Sequence, residues 1–286
     1  MPGGGLFYYD SKVPGNGENS AGRGQTVILI HGLGDEADTW RHIFPALCAT
    51  GYRVIAPDLP GFGRSIWKGR INMRVHCRAA QELLKLPGAA DSGNPAIIIG
   101  SSLGAGIAEL TAFKYPDLVQ KIILIGGCFP FKYKLDKNIL LASLPFAGKR
   151  WYRSFRLDHD RAWKSLFPYY YNLGSMGAED REFLRKRVID RVESKNQERG
   201  YFATMKSMGT FLPFNKNYMM RALRNFPGKI GMICGENDYI FPKDRTLIVR
   251  QIRPDIETIA IAGAGHLPHQ EKPAETSAQI LRIMQN

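Results

Sequence analysis

Cysteine is scarce in this sequence, and its scarcity limits the kinds of protein that the chain can be. The 286 residues include four cysteines, Cys48, Cys77, Cys128 and Cys234, which lie far apart and form no C-x-x-C pair. This spacing argues against a disulfide framework and against a zinc site. No other cluster of histidine, cysteine, aspartate or glutamate has ligand spacing, so the sequence predicts no bound metal.

Long apolar runs are absent as well. No stretch of eighteen or more apolar residues exists, which predicts that the chain has no transmembrane helix. Residues 1–5 lack the basic and apolar regions of a signal peptide. From these two absences we expect a cytoplasmic protein.

Acidic residues are outnumbered, and the imbalance is local. The formal net charge is +13, and residues 131–224 hold 20 of the 39 lysines and arginines but only 9 of the 26 acidic residues. Such a surface attracts acidic substrates, a membrane face or nucleic acid, although a solvated helical surface explains it equally well. Because no nucleic-acid-binding motif accompanies the charge, we expect no nucleic-acid partner. Contact with a membrane surface stays open.

One stretch combines a strand, a sharp turn and a helix. An apolar run with three isoleucines is followed by G-x-S-x-G, with Gly100, Ser102 and Gly104 in the fixed places, and a helical pattern covers 106–115. This turn exposes the serine hydroxyl on a strained backbone, and it needs glycine where strand and helix approach closely. Ser101 lacks glycine at the matching positions, so Ser102 is the candidate nucleophile.

Strands and helices alternate along most of the chain. Strands are predicted at residues 6–10, 26–30, 52–56, 96–99, 119–127, 230–234 and 257–261. Helices are predicted at residues 39–50, 75–86, 106–115, 244–251 and 274–284. This alternation predicts an α/β fold with a mostly parallel, doubly wound sheet, because parallel strands need crossover connections. The basic segment at 131–224 interrupts it with helical patterns, including Leu184, Val188 and Val192 at a spacing of four residues.

A serine hydroxyl needs a base, and six histidines are available. The base should lie on a loop after a late strand, since loops at the carboxyl ends of parallel strands converge on one site. His266 follows the strand at 257–261 in a glycine turn, and His269 on the same loop is its rival. His42, His76 and His159 lie on helical patterns and are interpreted as surface or core histidines.

The acid that orients the base should follow another late strand. Asp238 comes directly after the strand at 230–234 and precedes His266 in the chain. Glu236 would face differently, and Asp244 is interpreted as a helix cap. The order Ser102, Asp238, His266 is the one expected for a nucleophile on a strand–turn–helix elbow.

Two backbone N–H groups should hold the negative charge that develops on the substrate. Leu103 follows the nucleophile at a helix N-terminus, where N–H groups are free, and Leu33 follows the 26–30 strand in the sequence His31-Gly32-Leu33. Trp40 is a candidate substrate-binding residue and Asp35 a candidate at the pocket border, although packing for Trp40 and a loop cap for Asp35 are the favoured alternatives.

Together these motifs resemble the α/β-hydrolase superfamily, in the branch that inserts a helical cap, or lid, after the sixth strand of the family's sheet. The resemblance is carried, in chain order, by His31-Gly32-x-Gly34 with Trp40, Asp58-x-Pro60-Gly61-x-Gly63-x-Ser65, Gly100-x-Ser102-x-Gly104, Gly235-x-x-Asp238 and Gly265-His266. It implies an α/β-hydrolase core at 1–130 and 225–286 with a cap at 131–224. It also implies metal-free catalysis without a cofactor. Relatives with aspartate at the nucleophile position act on epoxides or halogenated compounds, and Ser102 argues against both.

The sequence therefore predicts a serine hydrolase that cleaves carboxylic esters through an acyl-enzyme, in the manner of a carboxylesterase or lipase. The aromatic cap, with 17 of the 31 aromatic residues, favours a small-molecule ester with an apolar part, and its basic charge suits an anionic one. The same triad would serve a carbon–carbon bond hydrolase, a lactonase or a thioesterase. A non-enzymatic ligand receptor on this fold is the alternative from another class.

Overall fold

The computed structural model describes residues 4–11, 24–129, 144 and 146–285. Its centre is one seven-stranded sheet. The strands are β1 (Tyr8–Asp10), β2 (Thr26–Ile30), β3 (Arg53–Pro57), β4 (Ala96–Ser101), β5 (Val119–Ile125), β6 (Lys229–Gly235) and β7 (Glu257–Ile261).

The order of the strands across the sheet is β1-β3-β2-β4-β5-β6-β7. Only β1 pairs antiparallel, and every other pair is parallel. The central strands β2 and β4 are buried along their whole length, as expected where helices cover both faces of a sheet. The predicted fold class, an α/β-hydrolase fold with a mostly parallel sheet, is confirmed.

Ten helices are described besides four short 3-10 segments. They are α1 (Ile43–Ala49), α2 (Met73–Leu84), α3 (Leu103–Lys114), α4 (Ala147–Ser154), α5 (His159–Lys164), α6 (Ala178–Glu193), α7 (Lys195–Asn225), α8 (Lys243–Ile252), α9 (Pro268–Glu271) and α10 (Pro273–Gln285). Apolar residues of α2 and α3 join one core cluster with the sheet, and those of α1 and α10 join another. The two clusters contain alternate residues of the same strands, so they cover the two faces of the sheet.

Residues 144 and 146–225, here called the helical insertion, lie between β5 and β6. They follow β5, the fifth strand of this chain, whereas the cap of the resembled branch follows the sixth strand of the family's sheet. The insertion has a small apolar cluster of its own. The amphipathic helix predicted from Leu184, Val188 and Val192 is confirmed, since all three are buried in that cluster on α6. Residues 131–143 of the predicted cap lie outside the described part of the chain.

Helix α7 belongs to both parts of the molecule. Tyr201 and Phe202 near its start pack against the apolar cluster of the insertion, whereas Met219 and Leu223 near its end are fully buried in a core cluster that also contains residues of α2 and α3. This helix therefore packs against both the insertion and the core, and the extent of the cap, 131–224, stays a prediction.

Two helix predictions need correction. The helix predicted at 39–50 is a 3-10 segment, Ala37–Trp40, followed by α1. The helix predicted at 106–115 begins three residues earlier, at Leu103. Gly104 and Gly106 lower helix propensity, but α3 lies so close to β2 and to Phe129 that these positions have no room for a Cβ. Tertiary packing overrides local propensity here.

Candidate active site

Ser102 occupies the junction between β4 and α3 with a backbone φ of 53°. A positive φ is uncommon for a residue other than glycine and stores strain that the surroundings must hold. Its N–H donates to the Ile125 carbonyl at 2.8 Å, which ties the turn to β5. A Cβ at Gly100 would collide with the Gly104 backbone, and one at Gly104 with the Ile30 carbonyl. The two glycines thus permit the close approach that fixes the serine.

His266 lies between Ser102 and Asp238. Its Nε2 is 3.0 Å from the Ser102 Oγ, and its Nδ1 is 2.9 Å from Asp238 Oδ2. The imidazole is 1% exposed and follows β7 on the predicted loop. With Nδ1–H donating to the carboxylate, Nε2 is left to accept the proton of the serine hydroxyl. The structure thus brings together the three side chains that the sequence predicts.

Asp238 is held by its own turn after β6. Its Oδ1 accepts hydrogen bonds from the N–H groups of Ile240 and Phe241, both at 2.8 Å. The second oxygen is thereby directed at His266. The nearby acidic alternatives do not lie here: Glu236 is exposed, and Asp244 is an exposed residue in the first turn of α8. The prediction that Asp244 caps this helix is wrong, since Pro242 is the N-cap residue.

The rival base, His269, makes a different set of contacts. Its Nε2 is 3.0 Å from Thr39 Oγ1, and its ring stacks on Trp40 with a centroid distance of 4.5 Å. Burial lowers the pKa of His269 to about 3. His76 is also buried and contacts Thr204, whereas His42 and His159 pair with acidic residues near the surface. Among the histidines of the described chain, the contact with Ser102 belongs to His266.

His31 organises the loop that follows β2. Its Nδ1–H donates to the Gly32 carbonyl at 2.8 Å, and its Nε2 accepts from the Leu59 N–H at 2.9 Å. Both bonds require the neutral imidazole in one tautomer, and burial lowers the pKa of His31 in agreement. This histidine therefore fastens the loop carrying Leu33 to the loop after β3.

The two predicted oxyanion donors flank the serine from different sides. Leu103 is the first residue of α3, where its N–H precedes the intrahelical hydrogen bonds. Gly32, which precedes Leu33, lies directly against Ser102, since a Cβ built on it would be 3.5 Å from the Ser102 Cβ. Both peptide groups are thus next to the serine.

The structure buries both Trp40 and Asp35. Trp40 is fully buried in a core cluster and packs on His269. This position agrees with a packing role for Trp40, the alternative to substrate binding. Asp35 accepts from the Glu36 N–H at 2.9 Å, as a loop cap does. It also forms buried ion pairs with Arg187 and Arg191 of α6. Burial opposes ionisation of Asp35, but the charges of Arg191 and Arg187 lower its pKa below the usual range.

Glu271 was missed by the sequence reasoning, although it lies five residues after His266. Its carboxylate accepts from the N–H groups of Gly265 at 2.6 Å, Tyr171 at 2.8 Å and Asn172 at 3.0 Å. It therefore joins the histidine loop to the helical insertion. Nothing in its local sequence marks the contact with the insertion, because Tyr171 and Asn172 lie about a hundred residues away.

The insertion also contacts the histidine itself. The His266 N–H donates to the Tyr169 carbonyl at 2.9 Å, and the two rings lie 6.1 Å apart between centroids. A Cβ at Gly265 would collide with the backbone of Tyr170 and Tyr171. The helical insertion thus packs directly on the loop that carries the candidate base.

Comparison with known proteins decides the family. The model of the alpha/beta hydrolase family matches residues 27–279, which is most of the chain. The chain belongs to the alpha/beta hydrolase family.

Three similar proteins indicate the range within this family. An uncharacterized protein of Mycobacterium tuberculosis is 27% identical over 278 residues, covering 92% of this alpha/beta hydrolase and 76% of that protein. The 2-hydroxy-6-oxo-6-phenylhexa-2,4-dienoate hydrolase of Burkholderia cepacia is 38% identical over 114 residues, which are 38% of each chain. A solved thermophilic esterase from Thermogutta terrifontis shares the fold, with a TM-score of 0.73, 21% identity and coverage of 98% of this chain and 93% of that one.

Two features are absent from the residues of this alpha/beta hydrolase that the structure describes. None of their helices is both long and apolar enough to cross a membrane. No group of three or more histidine, cysteine or acidic side chains among them could hold a metal ion.

Proposed function

We propose that this alpha/beta hydrolase is a serine hydrolase that cleaves carboxylic esters through an acyl-enzyme intermediate. The observation that supports this proposal best is the arrangement Ser102–His266–Asp238, with 3.0 Å and 2.9 Å between the paired atoms. A weak hydroxyl nucleophile needs an adjacent base, and the base needs an orienting acid. The contacts of these three residues meet both requirements.

In the proposed reaction, the Ser102 Oγ attacks the ester carbonyl carbon while His266 Nε2 takes the hydroxyl proton. The carbonyl oxygen becomes negative and accepts hydrogen bonds from the N–H groups of Leu33 and Leu103. When the tetrahedral intermediate collapses, the carbon–oxygen bond breaks and His266 gives its proton to the leaving alcohol. Asp238 keeps the imidazole in the right tautomer and stabilises its positive charge.

Water then completes the cycle. His266 takes a proton from a water molecule, whose oxygen attacks the acyl carbon. The bond to Ser102 Oγ breaks, the serine recovers its proton, and the carboxylic acid leaves. No step needs a metal or a cofactor.

We propose that residues 131–224 act as a cap over this site and select a small-molecule ester with an apolar part. The contact between His266 and Tyr169, together with the buried ion pairs between Asp35 and α6, supports this position of the cap. The basic charge of the same segment favours esters whose acyl or alcohol part is anionic.

Hydrolysis of a panel of p-nitrophenyl esters of increasing acyl length tests the ester proposal. The Ser102→Ala variant should lose on the order of 10⁴-fold or more in kcat, and labelling by a fluorophosphonate probe should disappear. Ser101→Ala is the matched control, because this neighbouring serine is buried and lies outside the triad. A folded wild-type chain that turns over no ester of any length would contradict the proposal.

A carbon–carbon bond hydrolase is the second candidate, favoured by the 38% identity to the Burkholderia dienoate hydrolase over 114 residues. It would use the same serine, histidine and aspartate on a bond next to a ketone. Measuring kcat/KM for that dienoate beside the ester panel separates the two candidates. Fast multiple turnover of either substrate would also remove the receptor alternative.

A further inference from the structure

A groove on the helical insertion lies apart from the candidate active site, and six of its nine lining residues are cations. It lies between α4 and the first turns of α7 and has a volume of about 770 Å³. Its cationic lining consists of Lys149, Arg153, Arg156, Lys195, Arg199 and Lys206. None of the triad residues or predicted oxyanion donors borders it.

Among the lining residues that the structure describes, Glu198 is the acidic one, and it is buried. Its carboxylate binds Arg153 Nε at 2.9 Å and the Arg156 guanidinium at 2.8 Å. Burial alone would raise the pKa of Glu198, but the hydrogen bonds and charges of the two arginines outweigh burial and lower it. Glu198 is therefore an anion that orients two guanidinium groups and leaves a large positive excess.

Two arginines of the groove, Arg156 and Arg199, are also fixed by backbone groups. Arg156 Nε donates to the Val192 carbonyl at 2.6 Å. Arg199 donates to three successive carbonyls, those of Trp67, Lys68 and Gly69. Side chains that are held before binding lose less conformational entropy when a ligand arrives.

The lysines supply charge that no described partner neutralises. Among the residues that the structure describes, no ion pair involves Lys149, Lys195 or Lys206. Like charges gathered in one concavity repel each other, and protein surfaces usually intersperse the two signs. Phe202 adds an apolar surface to the same wall.

We propose that this groove binds a ligand that carries phosphate groups with at least two negative charges. The guanidinium N–H groups that Glu198 and the carbonyls leave unused can donate to phosphate oxygens, and the lysines add point charges. The volume lies within the range of about 300–1,000 Å³ that small-molecule sites occupy. A soluble phosphate ester and the headgroup of an anionic phospholipid present the same chemistry to these residues.

Binding measured by titration calorimetry at physiological ionic strength tests the proposal without any assay of catalysis. The soluble probe is tripolyphosphate, and the membrane probe is phosphatidylcholine vesicles with and without phosphatidic acid. The test variant is Lys149→Glu/Lys206→Glu. The matched control is Lys216→Glu/Arg221→Glu, which makes the same change of charge at exposed positions of α7 outside the groove.

We expect the wild-type protein to bind at least one probe saturably. The affinity should fall about tenfold or more in the test variant and less than about threefold in the control. The reason is that glutamates introduced in the groove act on the ligand at short range, whereas those of the control are screened by salt. Tripolyphosphate binding indicates a soluble ligand, and binding to phosphatidic acid vesicles alone indicates a headgroup. Equal losses in both variants would show an effect of net charge only and would overturn the proposal. Absence of binding to either probe would overturn it as well.

Discussion

His266 and His269 lie only three residues apart, His266 on the loop after β7 and His269 in α9, and at first sight they form equivalent sites. Each imidazole is 1% exposed. Each has its Nε2 atom 3.0 Å from a side-chain hydroxyl, that of Ser102 for His266 and that of Thr39 for His269. A search for histidine–hydroxyl contacts alone would find both.

The surroundings of the two pairs differ at both ends. His266 Nδ1 contacts Asp238, whereas His269 Nδ1 is buried without a hydrogen-bond partner in the described structure. Ser102 is half-buried on a strained turn, whereas the buried Thr39 hydroxyl also accepts a hydrogen bond from Gln270. A contact between imidazole and hydroxyl therefore suits catalysis only when a carboxylate holds the far nitrogen and the hydroxyl can meet a substrate.

The largest expected difference between the two sites is in activity. Replacing His266 with glutamine should lower kcat for the best ester by about 10⁴–10⁶-fold, because the serine loses its base. Replacing His269 with glutamine should cost less than about tenfold, which is 1.4 kcal/mol of barrier. Steady-state kinetics of the two variants, with circular dichroism to check folding, measures this difference. A comparable loss in both variants would mean that His269 also takes part in the reaction.

Much of this site could be predicted because its signals are local. The strand Thr26–Ile30 is a continuous apolar run, and Ser102, Asp238 and His266 each follow a strand whose pattern is clear. Loops at the carboxyl ends of parallel strands converge, so three separate local patterns predict one site.

What could not be predicted depends on contacts between distant parts of the chain. Asp35 and Arg187 are 152 residues apart, and neither has a neighbouring sequence that marks a buried ion pair. Glu271 reaches backbone groups of the insertion in the same way. The start of α3 at Leu103 also depends on a distant contact, because Gly104 disfavours a helix locally and only its close approach to the Ile30 carbonyl shows why glycine is required there.

A second, smaller difference concerns the carboxylates near the two histidines. Asp238 contacts His266, whereas Asp35 accepts from Gln270 at 3.2 Å and pairs with two arginines of α6. Asp35→Asn should destabilise the fold by about 3–5 kcal/mol, because removing one partner leaves buried charge uncompensated. Urea unfolding followed by circular dichroism measures the change.

Asp160→Asn is the matched control for Asp35→Asn. Asp160 pairs with Arg185, which also lies on α6, but both side chains of that pair are exposed. Its loss should cost at most about 1 kcal/mol. If the two variants were equally stable, the ion pairs of Asp35 would not anchor the insertion.

The smallest expected effect is on the pH dependence of stability, and it tests whether the folded protein keeps the buried His269 neutral. Its pKa of about 3 lies below the ordinary value of 6.5, so between these values the unfolded chain binds a proton that the folded chain does not. The contribution of neutral His269 to the free energy of unfolding is therefore fully present above pH 6.5. It falls as the pH decreases, by about 2 kcal/mol at pH 5 for one such histidine. His269→Gln should flatten the dependence between pH 7.5 and 5 by that amount, whatever its stability at pH 7.5.

Groups such as Glu109, whose pKa burial raises, contribute with the opposite sign but equally in both proteins, so they cancel in the difference. Urea unfolding of the wild type and the variant at both pH values gives the comparison, and an unchanged slope would mean that His269 is charged in the folded protein.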